Sequence, residues 1–187
     1  MKIGSRHTSQ KPYIIAEIGN NHEGNFETAK KMIIAAAKVG VDAVKFQTYK
    51  TELFINPENS NRFNQLKRFQ LSYDNFEKLA EVAKKNNVTF LSTPFDLESA
   101  EFLNKLVPAF KISSSDNTFF PLIDKVISFD KPVIMSCGIA ETSLIQKSIN
   151  FIKEKKGPEY FSNKFALLHC VSSYPTIPEE ANLNSIP

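Results

Sequence analysis

At 187 residues, 42% of them hydrophobic and 23% charged, the chain can bury one substantial core, and its balance suits a soluble domain. A formal net charge of +3, with the lysines spread along helical patterns, gives no argument for nucleic acid or an anionic membrane as partner. No long apolar run follows Met1–Arg6, and no stretch approaches the roughly 20 apolar residues of a membrane span, so neither a signal peptide nor a membrane partner is expected and the cytoplasm is the default compartment.

A repeating beat runs along the chain: a short β-branched run, a polar turn, then an amphipathic helical pattern. The first predicted strand, Tyr13–Ile18, carries Glu17 near its carboxyl end and opens into Gly19-Asn20-Asn21-His22-Glu23-Gly24. A helix over Phe26–Val39 follows, with Asn25 as cap and Gly40 as its stop. The second strand, Ala43–Gln47, leads into a long polar loop, Thr48–Gln70, and a helix over Tyr73–Asn86 capped by Ser72. Strand three, Val88–Ser92, precedes a helix over Leu97–Leu106 capped by Asp96; strand four, Phe110–Ser113, precedes a weaker helix over Pro121–Ser128. Strand five, Val133–Ser136, precedes a helix over Thr142–Lys155, and strand six, Phe165–Val171, gives way to a Pro-rich tail ending at Pro187.

Strands alternating with helices at about thirty-residue spacing imply parallel βαβ units and an α/β fold. An open doubly wound sheet and a (β/α)8 barrel both fit. The absence of a GxGxxG after the first strand lowers the dinucleotide-binding form of the open sheet. A full barrel takes about 250 residues and eight units; six are legible, so the barrel reading makes this a TIM-barrel type that stops short of closure.

Polar residues gather at the carboxyl ends of the predicted strands, where parallel α/β folds place their ligand crevice. Strand one brings Glu17, and strand two brings Lys45 and Gln47, two residues apart and therefore on one face. Strand three ends in Ser92-Thr93, with Phe95 placed to overhang the crevice. Strand four brings Lys111, Ser113 and Ser114, strand five Ser136, and strand six His169, Ser172 and Tyr174. A lysine inside a barrel must find an anion. Two lysines with hydroxyls and backbone amides make a receptor for a small multiply charged anion, such as a phosphate with a carboxylate; Schiff-base chemistry by a buried lysine stays open beside it. His22 is a general base, a ligand contact or a loop-ordering hydrogen bonder. His169 is read as a satisfied core residue, and His7 as part of a flexible amino-terminal segment without a role. Cys137 and Cys170 have neither metal nor redox spacing and are expected as free buried thiols in a reducing compartment. No metal-binding cluster is visible.

Together these segments resemble the N-acetylneuraminate (sialic acid) synthase family, including the legionaminic and pseudaminic acid synthases. The matching stretches are IIAEIGNNHEGN, VDAVKFQT, FLSTPFD, FKISSSDNTFFPLI, PVIMSCG and LLHCVSSYPTIPEE, in order across almost the whole chain. The resemblance implies a (β/α)8 barrel of which residues 1–187 are the amino-terminal portion, with strands seven and eight and the antifreeze-like (SAF) domain absent. It implies condensation of phosphoenolpyruvate with N-acetylmannosamine or a related acylamino-hexose. Carried over by position, Lys45 and Lys111 are phosphoenolpyruvate anchors, with Thr93, Ser114 and Ser136 as hydroxyl donors and Gln47 positioning the ligand. Glu17 meets the sugar and metal region, Phe95 and Tyr174 flank the sugar, and Ser172 and His22 complete the substrate-binding set.

A divalent metal, Mn2+ or Mg2+, is implied as cofactor, with the family's ligands lying beyond Pro187. A homodimer is implied for the full-length protein, and this chain alone is expected to be inactive. Departures from the family pattern are Ser113-Ser114-Ser115 where Gly-Ser-Gly is frequent, Ser136-Cys137-Gly138-Ile139 where Ser-Thr-Gly-Met is common, and Ser172 where some members have Asn. The alternatives are a related synthase making octulosonate or heptulosonate phosphates, and a non-catalytic phosphoenolpyruvate- or sugar-binding module; the NNHEG and SSYP segments favour the sialic branch.

Overall fold

The computed structural model describes residues 1–9 and 11–186; Pro187, with which the expected tail ends, lies outside the described residues. The amino terminus forms a small antiparallel hairpin, β1 (Lys2–Ile3) with β2 (Arg6–His7). Six strands then alternate with helices as expected: β3 (Ile15–Gly19), β4 (Ala43–Thr48), β5 (Thr89–Pro94), β6 (Phe110–Ile112), β7 (Val133–Ser136) and β8 (Phe165–Leu168). They pair in parallel as two three-stranded sheets, β3-β4-β5 and β6-β7-β8, with β5 and β6 side by side between them. The class is α/β.

The period of two along each strand sorts the side chains onto two faces. Val44 and Phe46, Phe90, Phe110 and Ile112, and Val133 and Met135 point outward into the main core. There they meet Ile33 of α1 (Phe26–Lys38), Phe76 and Leu79 of α4 (Tyr73–Lys85), and Leu122 and Val126 of α6 (Phe120–Ser128). The opposite face begins apolar: Ala43, Leu91, Ala109 and Ile134 form a second cluster with Ile3 of the hairpin, and Ile15 packs against it. Two residues farther along the same strands this inner face turns polar, at Glu17, Lys45, Thr93, Lys111 and Ser136. The hairpin thus closes the amino end of the strands and leaves the carboxyl end to the polar layer. It is tied down by Arg6, which pairs with Asp42 and donates to the Pro12 carbonyl at 2.8 Å.

Helix starts follow their caps. The Asn25 carboxamide oxygen accepts from Thr28 N–H at 2.9 Å, Ser72 from Asn75 at 3.2 Å, and Asp96 from Ser99 at 2.6 Å. Among the described residues no helix is long and apolar enough to cross a membrane.

Several expectations need correction. The stretch read as a polar loop, 48–70, contains α2 (Thr51–Phe54) and α3 (Ser60–Phe69). Gln70 holds the first of these by accepting from both the backbone and hydroxyl of Thr51, at 2.9 and 2.8 Å. α5 (Leu97–Leu103) ends before Leu106. α7 (Thr142–Lys164) runs beyond Lys155, broken at Gly157, whose φ of 78° is left-handed; Pro158 then begins a second helical stretch, where its missing N–H costs nothing. His7 belongs to β2, with Nδ1 2.7 Å from the Ser9 hydroxyl. His169 is no core residue: β8 stops at Leu168, and the exposed ring lies 2.8 Å from the Ala181 carbonyl oxygen. Cys137 and Cys170 are free but only half-buried.

Candidate functional site

The parallel register sets Glu17 opposite Lys45 and Gln47 opposite Thr93. The Lys45 ammonium, 8% exposed, lies 2.6 Å from a Glu17 carboxylate oxygen and donates to the Thr93 hydroxyl at 2.9 Å. Lys45 is therefore buried with a partner, whereas the Glu17 side chain is half-exposed and keeps a face toward solvent. A bulge between Glu17 and Gly19 turns this strand end. Gly19 sits at φ +55°, and a Cβ there would meet Glu17 Oε1 at 3.3 Å and Gln47 Nε2 at 3.6 Å, so the glycine makes room for both side chains. Asn20 donates its amide to Gln47 Oε1 at 2.8 Å. That bond fixes the Gln47 carboxamide with its NH2 on the Glu17 side.

The second half of the polar layer centres on Lys111, also 8% exposed. Its ammonium donates to the Ser136 hydroxyl at 2.5 Å and to the Ile112 carbonyl at 2.8 Å. Among the described residues no carboxylate lies within ion-pair distance of it. Burial, reinforced by the positive charge of Lys45, lowers its pKa to about 8. Around it the strand ends are held by buried Asn117, whose amide donates to the carbonyls of Ser136 and Gly138, each at 3.2 Å, while Ser148 donates to the Asn117 carbonyl at 2.5 Å. Ser114 and Ser172 converge on Gly138: a Cβ there would fall 3.1 Å and 2.8 Å from their hydroxyl oxygens. In the Ser113-Ser114-Ser115 run, the hydroxyls of Ser113 and Ser115 bond each other at 2.8 Å, and Ser115 donates to Asp116 at 2.9 Å. Burial raises the Asp116 pKa.

The lowered Lys111 pKa has a signed consequence. Between about 8 and 10.5 the folded chain holds this amine neutral while the unfolded chain keeps it charged, so folding stability rises with pH across that window. Anion affinity runs the other way, because only the ammonium attracts. Sulfate, whose charge is constant there, should bind progressively less well from pH 7 to pH 10, and in Lys111→Met the slope should flatten; isothermal titration across that range is the check.

Not every expected site residue joins this layer. His22 is 1% exposed and packed at a tilt of 34° against Phe46, ring centroids 5.9 Å apart, and its Nδ1 accepts from Gly24 N–H at 3.0 Å. Burial lowers its pKa, so the ring is neutral with its proton on Nε2, which has no partner among the described residues. A ring whose only lone pair is already engaged is no general base, and a ring buried so fully presents no face to a ligand: His22 orders the loop. Phe95, expected to overhang the crevice, is buried against Phe54 and Tyr49, with centroids 4.4 and 6.4 Å away, in a cluster with Leu66. The helices hidden in 48–70 supply that packing. Tyr174 stands 97% exposed and touches none of the polar layer. Sequence reasoning missed Asn20 and Asn117. An Asn just past a strand with Gly in front is a legible hint for the first; nothing in the local pattern marks the second.

What remains is a polar layer with two buried ammonium groups, hydroxyls from four strand ends, and one half-exposed carboxylate at its edge. Ammonium and hydroxyl donors in this arrangement are the chemistry that can bind a small anion. Among the described residues no group of three or more His, Cys, Asp or Glu side chains is placed to hold a metal ion.

The comparisons agree with this picture at the level of the family. A family model described as the NeuB family matches residues 32–187. An uncharacterized protein of Methanocaldococcus jannaschii is 43% identical over 100% of this chain and 54% of its own length. An N,N'-diacetyllegionaminic acid synthase of Campylobacter jejuni is 37% identical over 95% of this chain and 56% of its own length. Among solved structures, an N-acetylneuraminic acid synthetase from Leptospira borgpetersenii, crystallised with citrate, superposes with a TM-score of 0.85 at 37% identity, covering 93% of this chain and 59% of that one. The chain thus spans about half the length of the curated relatives it matches. With its parallel α/β fold, its ordered strand-end residues and a family match over most of its length, the chain belongs to the NeuB family.

Proposed function

We propose that this chain carries the phosphoenolpyruvate side of the active site of a nonulosonic acid synthase, which joins phosphoenolpyruvate to N-acetylmannosamine or a related acylamino-hexose and releases phosphate. The observation that carries the reading is Lys111, a buried ammonium whose partners among the described residues are a hydroxyl and a carbonyl. A buried charge without a counterion is costly, and an anionic ligand offsets that cost. Lys45 on the neighbouring sheet supplies the second positive charge. The names of the relatives, N,N'-diacetyllegionaminic acid and N-acetylneuraminate-9-phosphate synthases, support the product class.

On this reading Lys45 and Lys111 hold the phosphate and carboxylate, and Thr93, Ser114, Ser136 and Ser172 donate hydroxyls. Gln47, fixed by Asn20, orients the ligand. C3 of the enolpyruvate attacks the open-chain aldehyde, water adds at C2, and phosphate leaves by C–O cleavage. Glu17, paired with Lys45 and open to solvent on its other side, faces the sugar and moves a proton there. The divalent metal that the resemblance implies finds no donor cluster among the described residues, and no step is assigned to it. The six strands are read as part of a (β/α)8 barrel, with the apolar inner layer beneath the site as its packed interior. A homodimer and a cytoplasmic setting belong to the same proposal, the latter supported by the two free thiols.

The test is the product of the intact gene, incubated with phosphoenolpyruvate, an acylamino-hexose and Mn2+. Phosphate release that requires both organic substrates, with a nonulosonic acid as product, is expected. Release with arabinose or erythrose phosphates only would point to the octulosonate or heptulosonate type. Phosphoenolpyruvate binding without turnover would favour a binding module.

A further inference from the structure

The turn that leaves β7 is strained, and one buried side chain holds it. Ala140 N–H donates to the Gly138 carbonyl at 2.9 Å, closing a three-residue turn around Ile139, whose φ is +71°. That sign of φ belongs to the rare, strained form of the turn, and a β-branched residue suits it least. The Ile139 side chain, 74% exposed, offers little packing in return. Strain of this kind persists only where the surroundings over-determine it. Here the surroundings are Asn117, 1% exposed and next to Asp116. Its one NH2 group donates to the carbonyls of Ser136 and Gly138, each at 3.2 Å, and so spans the turn from its entry to its strained part. The peptide that carries the Ser136 carbonyl is gripped on its other side as well, where Cys137 N–H donates to the Leu168 carbonyl at 3.1 Å. Asn117 is itself fixed by the fully buried Ser148 of α7, which donates to its carbonyl at 2.5 Å.

What the turn carries belongs to the polar layer. Ser136 gives Lys111 its hydroxyl partner at 2.5 Å, and a Cβ on Gly138 would stand 3.1 Å and 2.8 Å from the hydroxyls of Ser114 and Ser172. We infer that Asn117 is a positioning residue of the anion site: its amide holds the strained 136–140 turn in the form that presents Ser136 to Lys111 and sets Gly138 against Ser114 and Ser172. The inference rests on the phosphoenolpyruvate reading for its ligand, and on the turn alone for its geometry. Without the amide, two carbonyls of buried residues lose a donor. The turn then relaxes toward an ordinary negative φ and carries Ser136 and Gly138 away from their partners.

The test compares the product of the intact gene with its Asn117→Leu and Asn117→Leu/Ile139→Gly variants, by phosphoenolpyruvate calorimetry and by amide exchange without ligand. Asn117→Leu should exchange faster at Ala140 N–H, with the amides inside β7 unchanged. It should also bind phosphoenolpyruvate about tenfold more weakly, the size of two neutral hydrogen bonds given up. Glycine takes a positive φ without strain, so adding Ile139→Gly should restore most of that affinity. A packing defect at position 117 would not be repaired from an exposed position on another segment. Weaker binding that Ile139→Gly leaves unrestored therefore overturns the positioning role. So does an Ala140 exchange rate equal to that of the wild type, whatever the affinity does. A wild-type protein that binds no phosphoenolpyruvate overturns the proposed function instead, and Ala140 exchange then decides the role of Asn117 alone. Should Asn117→Leu not fold, Ser148→Ala removes the hydroxyl behind Asn117 and should move both readings in the same direction; unchanged readings overturn the inference.

Discussion

Replacing Lys111 with Ala should weaken phosphoenolpyruvate binding by roughly 30-fold or more, the loss typical when a buried, hydrogen-bonded charge pair loses one partner. Folding should respond differently. Lys111 is destabilising in the ligand-free chain at neutral pH, since burial and the charge of Lys45 both disfavour its ammonium. The truncated side chain leaves a small cavity but removes that penalty, so thermal stability at pH 7 should hold or rise. A thermal melt beside a binding titration separates the two effects. If binding is near normal, Lys111 is no anchor; if binding and stability fall together, its part is structural.

The second large effect is Gly24→Ala. Gly24 has φ +80°, and a Cβ built there would stand 2.2 Å from the Arg68 carbonyl oxygen and 3.3 Å from its carbon. Those atoms are backbone, at the end of α3, and cannot swing aside. The left-handed backbone and the clash together should cost on the order of 3 kcal/mol or more, a fall of roughly 6–12 °C in Tm for a chain of this size. Gly24 N–H is also the group that His22 Nδ1 accepts, so the loop and the ring shift together. Gly40→Ala is the matched control: its φ is +82°, but a Cβ there meets nothing within 4 Å. Its cost should be no more than the conformational one, about 1 kcal/mol. Equal melting temperatures for the two variants would show that Arg68 does not press on Gly24.

Much of this architecture was legible because two periodicities and a few caps write it plainly. The strand runs, the caps at Asn25, Ser72 and Asp96, and the lysines at strand ends all follow from local chemistry. α3 was passed over because Ser60–Phe69 is mostly polar: its apolar stripe is only Phe63, Leu66 and Phe69, of which Leu66 alone is fully buried. The hairpin strands are two residues each, too short for alternation to show.

In the site, Glu17, Lys45, Thr93, Lys111 and Ser136 could be placed together because parallel strands align their carboxyl ends. Phe95 and His22 were harder. Whether a ring beside a site faces a ligand or a neighbour depends on long-range packing, here α2, α3 and Phe46, which residue spacing does not encode.

The most direct test of the proposed anion site is lysine-selective NMR of the chain, 13Cε-labelled, titrated with phosphoenolpyruvate. Lys45→Arg and Lys111→Arg assign the two buried signals among the lysines. Saturable shifts of both, with the Lys111 resonance losing its titration near pH 8 as the bound dianion stabilises the ammonium, is the expected result. Phosphoenolpyruvate that binds without moving either signal, or that moves only surface lysines, would contradict it.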